Sequence, residues 1–292
     1  MPIFNQPTLA VSAVSNPPLV IVDASYIAHR AKWTTGHMEY RGRPTGVLFG
    51  FLNQIKKLRK LFPANSLWVF AWDSIMSFRR EMYPDYKARR KEISTPEEIR
   101  MRDEFYHQMN LLRPDVLEPL GFRSHIKVEG FEADDIIASL CFWNRQRETF
   151  IVSADHDLFQ CLDKATMFLP NKGHNYTAES LHRDYGCVPY LWPKVLAIAG
   201  CDGDNVPGVF GVGDKTAAKY VVGESIRPTQ EQAIKRSRRL IERNMVLVKL
   251  PFKGKNLVPP GFSPSPFKTD SQGLARIRDQ FGFDSLRQED WR

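Results

Sequence analysis

The chain of 292 residues is long enough for one large domain or two smaller ones around a substantial core. Its 42% hydrophobic and 25% charged residues are ordinary for a globular protein, while a net charge of +8 and a pI near 9.3 point to a polyanionic partner, nucleic acid first. Four widely spaced cysteines with no C-x-x-C pair argue against a zinc site or a disulfide framework. No apolar run approaches the ~18 residues of a membrane span, and no signal-like N-terminus is present, so a cytoplasmic, monomeric protein is expected.

Residues 1–17 carry three prolines among small polar residues and read as a flexible tail. Leu19-Val20-Ile21-Val22 is a short run that is apolar on both faces, as a buried parallel strand requires, and it ends at Asp23. Val47, Leu48, Phe51, Leu52, Ile55, Leu58 and Leu61 then mark an amphipathic helix from Gly46 to Phe62, stopped by Pro63. Leu67–Trp72 is a second buried strand, and it too ends in an acid, Asp73. Strand, helix, strand is the beginning of an α/β fold.

Phe78 to Lys91 is basic, with Tyr83 and Tyr86 interleaved, and its plain alternative is a solvated surface. Thr95-Pro96-Glu97-Glu98 spells a capping box with proline in the first turn, opening a helix that runs to about Leu120, with a kink expected at Pro114 and an end at Gly121. A strand over Phe122–Val128, an acidic helix over Glu132–Trp143 and a strand over Thr149–Ser153 follow. Met167-Phe168-Leu169 is the last strand.

From Thr177 the pattern is helical. Thr177 caps Ala178–Tyr185, Gly186 closes that helix, and Trp192–Ala199 is a second one. A glycine-punctuated hairpin over 204–213 leads into Asp214-Lys215-Thr216 at a helix start, and a basic helix spans roughly Glu231 to Leu250. Pro259–Pro266 is a loop before a short final helix. An α/β half over 18–175, with a mainly parallel sheet, flanking helices and a basic clamp at about 78–100, is thus expected to precede a helical DNA-binding half over 176–292.

The acids carry the chemistry. Asp23, Asp73, Asp155 and Asp157 fall at the carboxyl ends of expected strands, which lie on one edge of a parallel sheet, where ligands bind. Glu132, Asp134 and Asp135 open a helix able to pack over that edge. Each alone could be a turn former or a helix cap, and His156 reads as a solvent-facing loop residue. Together the seven carboxylates repel one another without a cation, and hard oxygen donors favour Mg²⁺ or Mn²⁺. The basic segment suits phosphate, its tyrosines suit exposed bases, and the hairpin with Lys215 and Thr216 offers backbone amides in the manner of a helix-hairpin-helix.

These stretches resemble the 5′-nuclease or flap endonuclease family, which includes the 5′–3′ exonuclease domain of bacterial DNA polymerase I and stand-alone bacteriophage enzymes. The resemblance rests on Ile21-Val22-Asp23, Phe78-Arg79 with Tyr86-Lys87-Ala88-Arg89-Arg90, Gly130-Phe131-Glu132-Ala133-Asp134-Asp135, Ser153-Ala154-Asp155-His156-Asp157-Leu158 and Asp204 through Gly213. It implies a PIN-like α/β domain and a helical helix–three-turn–helix domain. It also implies a metal-dependent cut in DNA with a 5′ flap, nick or single-stranded 5′ end, in replication or repair, alongside a DNA polymerase. By position, it implies that Asp23, Asp73, Glu132, Asp134 and Asp135 hold one of two Mg²⁺ or Mn²⁺ ions and Asp155, Asp157 and Asp204 the other. Lys87 and Arg90 would meet the scissile phosphate and Tyr86 would stack on a nucleotide. Arg79, Arg89, Gly208, Gly211, Gly213, Lys215 and Thr216 would contact DNA, with K⁺ at hairpin 208–213. The family's Gly-Asp-x-x-Asp-Asn reads Gly200-Cys201-Asp202-Gly203-Asp204-Asn205 here, so Cys201 replaces an acid and Asp202 is the candidate substitute. The resemblance leaves two rivals, a ribonuclease of the same fold and a flap-DNA-binding relative without catalysis.

Overall fold

The apolar runs of the first half assemble into one sheet. The computed structural model describes residues 16–91, 95–144 and 147–291, without the side chains of Arg90 and Lys91; the tail expected over 1–17 lies outside it up to residue 15. The sheet holds β1 (Leu19–Asp23), β2 (Leu67–Trp72), β3 (His125–Lys127), β4 (Thr149–Val152), β5 (Thr166–Leu169) and β6 (His174–Tyr176). Its order is β3-β2-β1-β4-β5-β6, parallel throughout except for the β5–β6 pair. β1 is central and buried along its whole length, as a strand with apolar residues on both faces must be.

The pleat sends alternate side chains to two cores. Val20, Val22, Phe70 and Phe150 face α1 (Ala24–Thr35) and α2 (Gly46–Arg59). Beyond β2 come α3 (Phe78–Met82) and α4 (Pro96–Leu111). α4 begins with the expected capping box: Glu98 N donates to Thr95 Oγ1 at 3.2 Å and Thr95 N to Glu98 Oε2 at 3.0 Å. Around Pro114, which has no N–H to give, the helix widens into a π turn over Leu112–Leu117, and Gly121 ends it at φ 119.

Leu19, Ile21, Val69 and Ile151 face α5 (Ala133–Trp143) and a core that runs on into the helical half. That half comprises α6 (Ala178–Tyr185), α7 (Trp192–Ala199), α8 (Asp214–Val221), α9 (Pro228–Arg236) and α10 (Arg238–Val248). The single basic helix expected over 231–250 is therefore two, divided at Ser237. Trp192, Leu196, Ala217 and Leu247 share one cluster with Ile21 and Ile151, so the two halves are packed as one body.

The chain then turns back. Pro266 bridges to Leu67, and Phe267, together with Leu274, Ile277 and Phe281 of α11 (Ser271–Phe281), enters the core formed by β1, β2 and α2. Phe122 and Phe267 stack at 4.1 Å between ring centroids. Residues 266–291 therefore pack against the α/β half and not with the helical half expected over 176–292. Positions 274, 277 and 281 form an apolar helical face, and the sheet supplies its cover.

One buried ion pair ties these parts together. Arg79, 2% exposed, donates from both terminal nitrogens to Asp135 at 2.5 and 2.7 Å, and from Nε to the Leu247 carbonyl at 2.7 Å. Asp135 also accepts from the backbone N–H of Phe252 at 2.7 Å and of Glu132 at 3.2 Å. Truncating Arg79 leaves a buried carboxylate without its cation, a change that costs about 3–5 kcal/mol. Arg79→Ala is expected to lower the urea unfolding midpoint by that equivalent, and an unchanged midpoint would remove this joint from the account.

Candidate active site

The parallel register decides where the acids meet. Asp23 lies beside Ala71, and Val22 beside both Phe70 and Val152, so the segments after β1, β2 and β4 leave the sheet at one edge. Asp23 Oδ1 accepts from Tyr26 N at 2.9 Å, capping α1, while Oδ2 accepts from Ser153 Oγ at 2.9 Å. Asp73 Oδ1 accepts from Ala133 N at 2.8 Å, which fixes the first turn of α5 over that edge. Asp155 Oδ1 accepts from Asp157 N at 2.9 Å. The caps and the cluster are thus made by the same carboxylates.

Their crowding shows in their proton affinities. Burial and then the Asp73 charge push Asp23 up to about 7. Burial and then Asp155 and Asp23 hold Asp134 well above the usual carboxylate range, and burial with Asp155 and Asp204 does the same to Asp157. Asp155 is raised as well, by lost hydration first and by Asp204. Among the described residues, Lys87 sets its cation against them, and Arg79 stands 3.7 Å from Glu132. The Lys87 Nζ donates to Glu132 Oε2 at 2.9 Å and stands 3.6 Å from Asp204 Oδ1. The Lys87 charge lowers Glu132 and eases Asp134, Asp155 and Asp157. Lys87 adopts φ 54, and its N–H donates to the Asp204 carbonyl at 2.9 Å. A backbone in that region costs a non-glycine residue about 1–3 kcal/mol, and such strain collects at working sites.

Several expected roles change on this geometry. Asp135 was expected to hold metal, but four donors occupy its two oxygens, and an ionised carboxylate has about four lone-pair sites, so it is a structural group. Arg79 was expected at the DNA surface and is instead the buried partner of Asp135. Tyr86 was expected to stack on a base. It is 3% exposed, its hydroxyl lying 2.9 Å from both Glu132 Oε2 and Asp204 Oδ2, so its ring is not free to stack. Asp202 was the candidate substitute for the missing acid. Its side chain is 97% exposed and pairs outward with Arg89 at 3.0 Å, whereas Cys201 Sγ faces inward, donating to Asp157 Oδ1 at 3.6 Å. A Cβ on Gly208 would strike the Ala199 carbonyl, so that glycine serves close packing. Gly211, Gly213 and Lys215 are exposed, Thr216 is half-buried in the first turn of α8, and the Arg90 side chain lies outside the described residues.

Two contributors escaped the sequence reading. Ser153 orients Asp23, and only its place at a strand end hinted at it. Asn205, at φ 55, turns the chain after Asp204 and donates to the Asp85 carbonyl at 2.7 Å; asparagine in a Gly-Asp-Asn run is the residue that tolerates such a turn.

Among the described residues no three acidic, cysteine or histidine side chains already stand close enough together to hold one ion. The donor chemistry nevertheless fits divalent metal. The raised carboxylates supply hard oxygens, and among the described residues Lys87 offsets only part of their repulsion. Asp23, Asp73, Glu132, Asp134, Asp155, Asp157 and Asp204, with Cys201 beside Asp157, make up this set.

A family model described as the 5′-3′ exonuclease, N-terminal resolvase-like domain, matches residues 18–186. The chain is 34% identical over 206 residues to the thermostable DNA polymerase I of Thermus thermophilus, covering 70% of this chain and 24% of that one. It is 34% identical over 218 residues to DNA polymerase I of Mycobacterium bovis, with 71% and 23% covered. The chain therefore spans about a quarter of the length of these relatives. Among solved structures, the bacteriophage T5 5′-exonuclease with bound zinc shares the fold at a TM-score of 0.68 and 20% identity, covering 90% of this chain and 97% of that one. Human GEN1 in complex with Holliday junction DNA does so at 0.59 and 19%, covering 90% and 67%. The chain belongs to the 5′-3′ exonuclease family, through its N-terminal resolvase-like domain.

Proposed function

We propose that the chain is a divalent-metal-dependent, structure-specific 5′-nuclease that hydrolyses phosphodiesters in DNA bearing a 5′ flap, nick or single-stranded 5′ end. The observation that carries this reading is the gathering of Asp134, Asp155 and Asp157 about the Lys87 ammonium, with Asp23 beside Asp134 and Asp155 and all four of raised proton affinity. Two Mg²⁺ or Mn²⁺ ions, when bound, supply an activated water and neutralise charge at the phosphate. Lys87, whose Nζ stands 2.9 Å from Glu132 and 3.6 Å from Asp204, would present its charge to the phosphate, where it counts most as the transition state forms. Arg89 and Arg90 hold the single-stranded end, and Lys215 with Thr216 holds the duplex through the start of α8. K⁺ at hairpin 208–213 belongs to the same reading, although the Gly211 carbonyl already accepts from Gln230 at 2.8 Å. The identities of the relatives as DNA polymerases support a polymerase working on the same strand.

With Mg²⁺ and enzyme in excess, a labelled 5′-flap duplex is expected to be cut near its branch, and an intact flap would overturn the reading. Lys87→Ala is expected to slow single-turnover cleavage by about 10²–10³-fold, the scale for losing a charge placed at the transition state, while the flap dissociation constant changes far less. At position 201, which this reading puts beside the second ion, a thiol stands where the family resemblance implies a carboxylate. Oxygen donors suit Mg²⁺ and sulfur suits softer ions. Cys201→Asp is accordingly expected to tighten Mg²⁺ binding in calorimetry, and equal Mg²⁺ affinity in both proteins would show that Cys201 does not influence that position.

A further inference from the structure

A second concave site lies outside the acidic cluster. It is a cavity of about 480 Å³ between the β5–β6 turn, α6 and α8, with His156, Tyr176, Lys172, Arg183 and Lys215 in its wall. The His156 ring stacks on Phe159 with centroids 4.6 Å apart, and Phe159 stacks on Tyr176 at 4.6 Å. The Trp192 indole N–H donates to the His156 carbonyl at 2.8 Å and holds that residue in place. The floor is therefore a rigid aromatic stack whose outermost ring is exposed.

The rim is cationic. Lys172 comes from the β5–β6 turn, Arg183 from α6 and Lys215 from the first turn of α8, all three exposed. Asp184, in the same wall, pairs with Arg183 at 3.0 Å and feels the charge of Lys172, so three cations against this one carboxylate leave the rim net positive toward an incoming anion. A solvated surface does not require three segments distant in sequence to set their cations around one hollow. His156 lies between Asp155 and Asp157 in sequence, and Lys215 lies just beyond the hairpin, so the cavity sits between the two places where this reading puts DNA.

We infer that this cavity is a subsite for a nucleic-acid backbone phosphate, with Lys172 and Arg183 as its unassigned contacts beside Lys215. The inference rests on the nuclease reading above and adds residues to its DNA path. The phosphate comes from the duplex arm or from the single-stranded 5′ end, and substrates that lengthen one or the other distinguish these sources.

The test uses the full chain in EDTA, where binding is read without cleavage, by fluorescence anisotropy over a range of salt concentrations. Substrates differ in duplex-arm length or in the length of the 5′ single strand. Lys172→Ala and Arg183→Ala are each expected to weaken binding and to reduce the slope of log K against log salt by about 0.9 if the phosphate is in duplex, or about 0.7 if it is in single strand. The loss is expected only on substrates whose lengthened arm reaches the cavity. Unchanged affinity and slope in the double variant, on every substrate, would overturn the subsite. Wild-type flap cleavage in Mg²⁺ is scored separately, so a cutting enzyme with an indifferent double variant loses the subsite alone, whereas an enzyme that does not cut loses the nuclease reading.

Discussion

Mutual repulsion among carboxylates is the constraint around which the molecule is arranged. Crowding several buried and half-buried acids at one sheet edge raises the proton affinity of Asp23, to about 7, and of Asp134, Asp155 and Asp157, and opposes folding at neutral pH unless something answers the charge. The fold gives partial answers. Asp23 spends one oxygen on a helix N-terminus and the other on Ser153, Asp73 spends one on the start of α5, and Lys87 is drawn into the cluster against a backbone preference. Each device lessens the repulsion without abolishing it. The residue of uncancelled charge is what makes the edge receptive to cations.

The same logic separates neighbours that look alike on paper. Asp134 and Asp135 follow one another on α5, and consecutive helical positions diverge by about 100°. Asp134 consequently turns toward the cluster, where it has poor company, while Asp135 turns inward to a guanidinium and two backbone amides. Cys201 and Asp202 divide in the same way, the thiol inward and the carboxylate outward.

Much of the framework was legible because it is written in local patterns. β1 and β2 are apolar runs that end in aspartate, α4 announces itself by Thr95 and Glu98, and Gly121 and Gly186 close helices in left-handed conformations. What stayed hidden depends on partners remote in sequence. Arg79 meets Asp135 56 positions away, and Tyr86 meets Asp204 118 positions away. A basic, aromatic segment has the same composition whether its members face DNA or are committed to the interior, so composition could not tell Arg89 from Arg79. The return of α11 to the first core was equally invisible, since an amphipathic helix does not specify which surface will cover it.

That return has a consequence for how the molecule comes into being. Val20, Phe51, Phe70 and Phe122 are among the earlier residues to be synthesised, yet Phe267, Ile277, Phe281 and Trp291 complete their enclosure. On the ribosome this face of the sheet waits, partly uncovered and sticky, until residues 267–291 emerge. The opposite face, closed by α5, α7 through α10 and the segment to Val258, is complete some thirty residues sooner. The two sides of one sheet therefore mature at different times, the catalytic edge gaining its helical support before the back of the sheet is sealed.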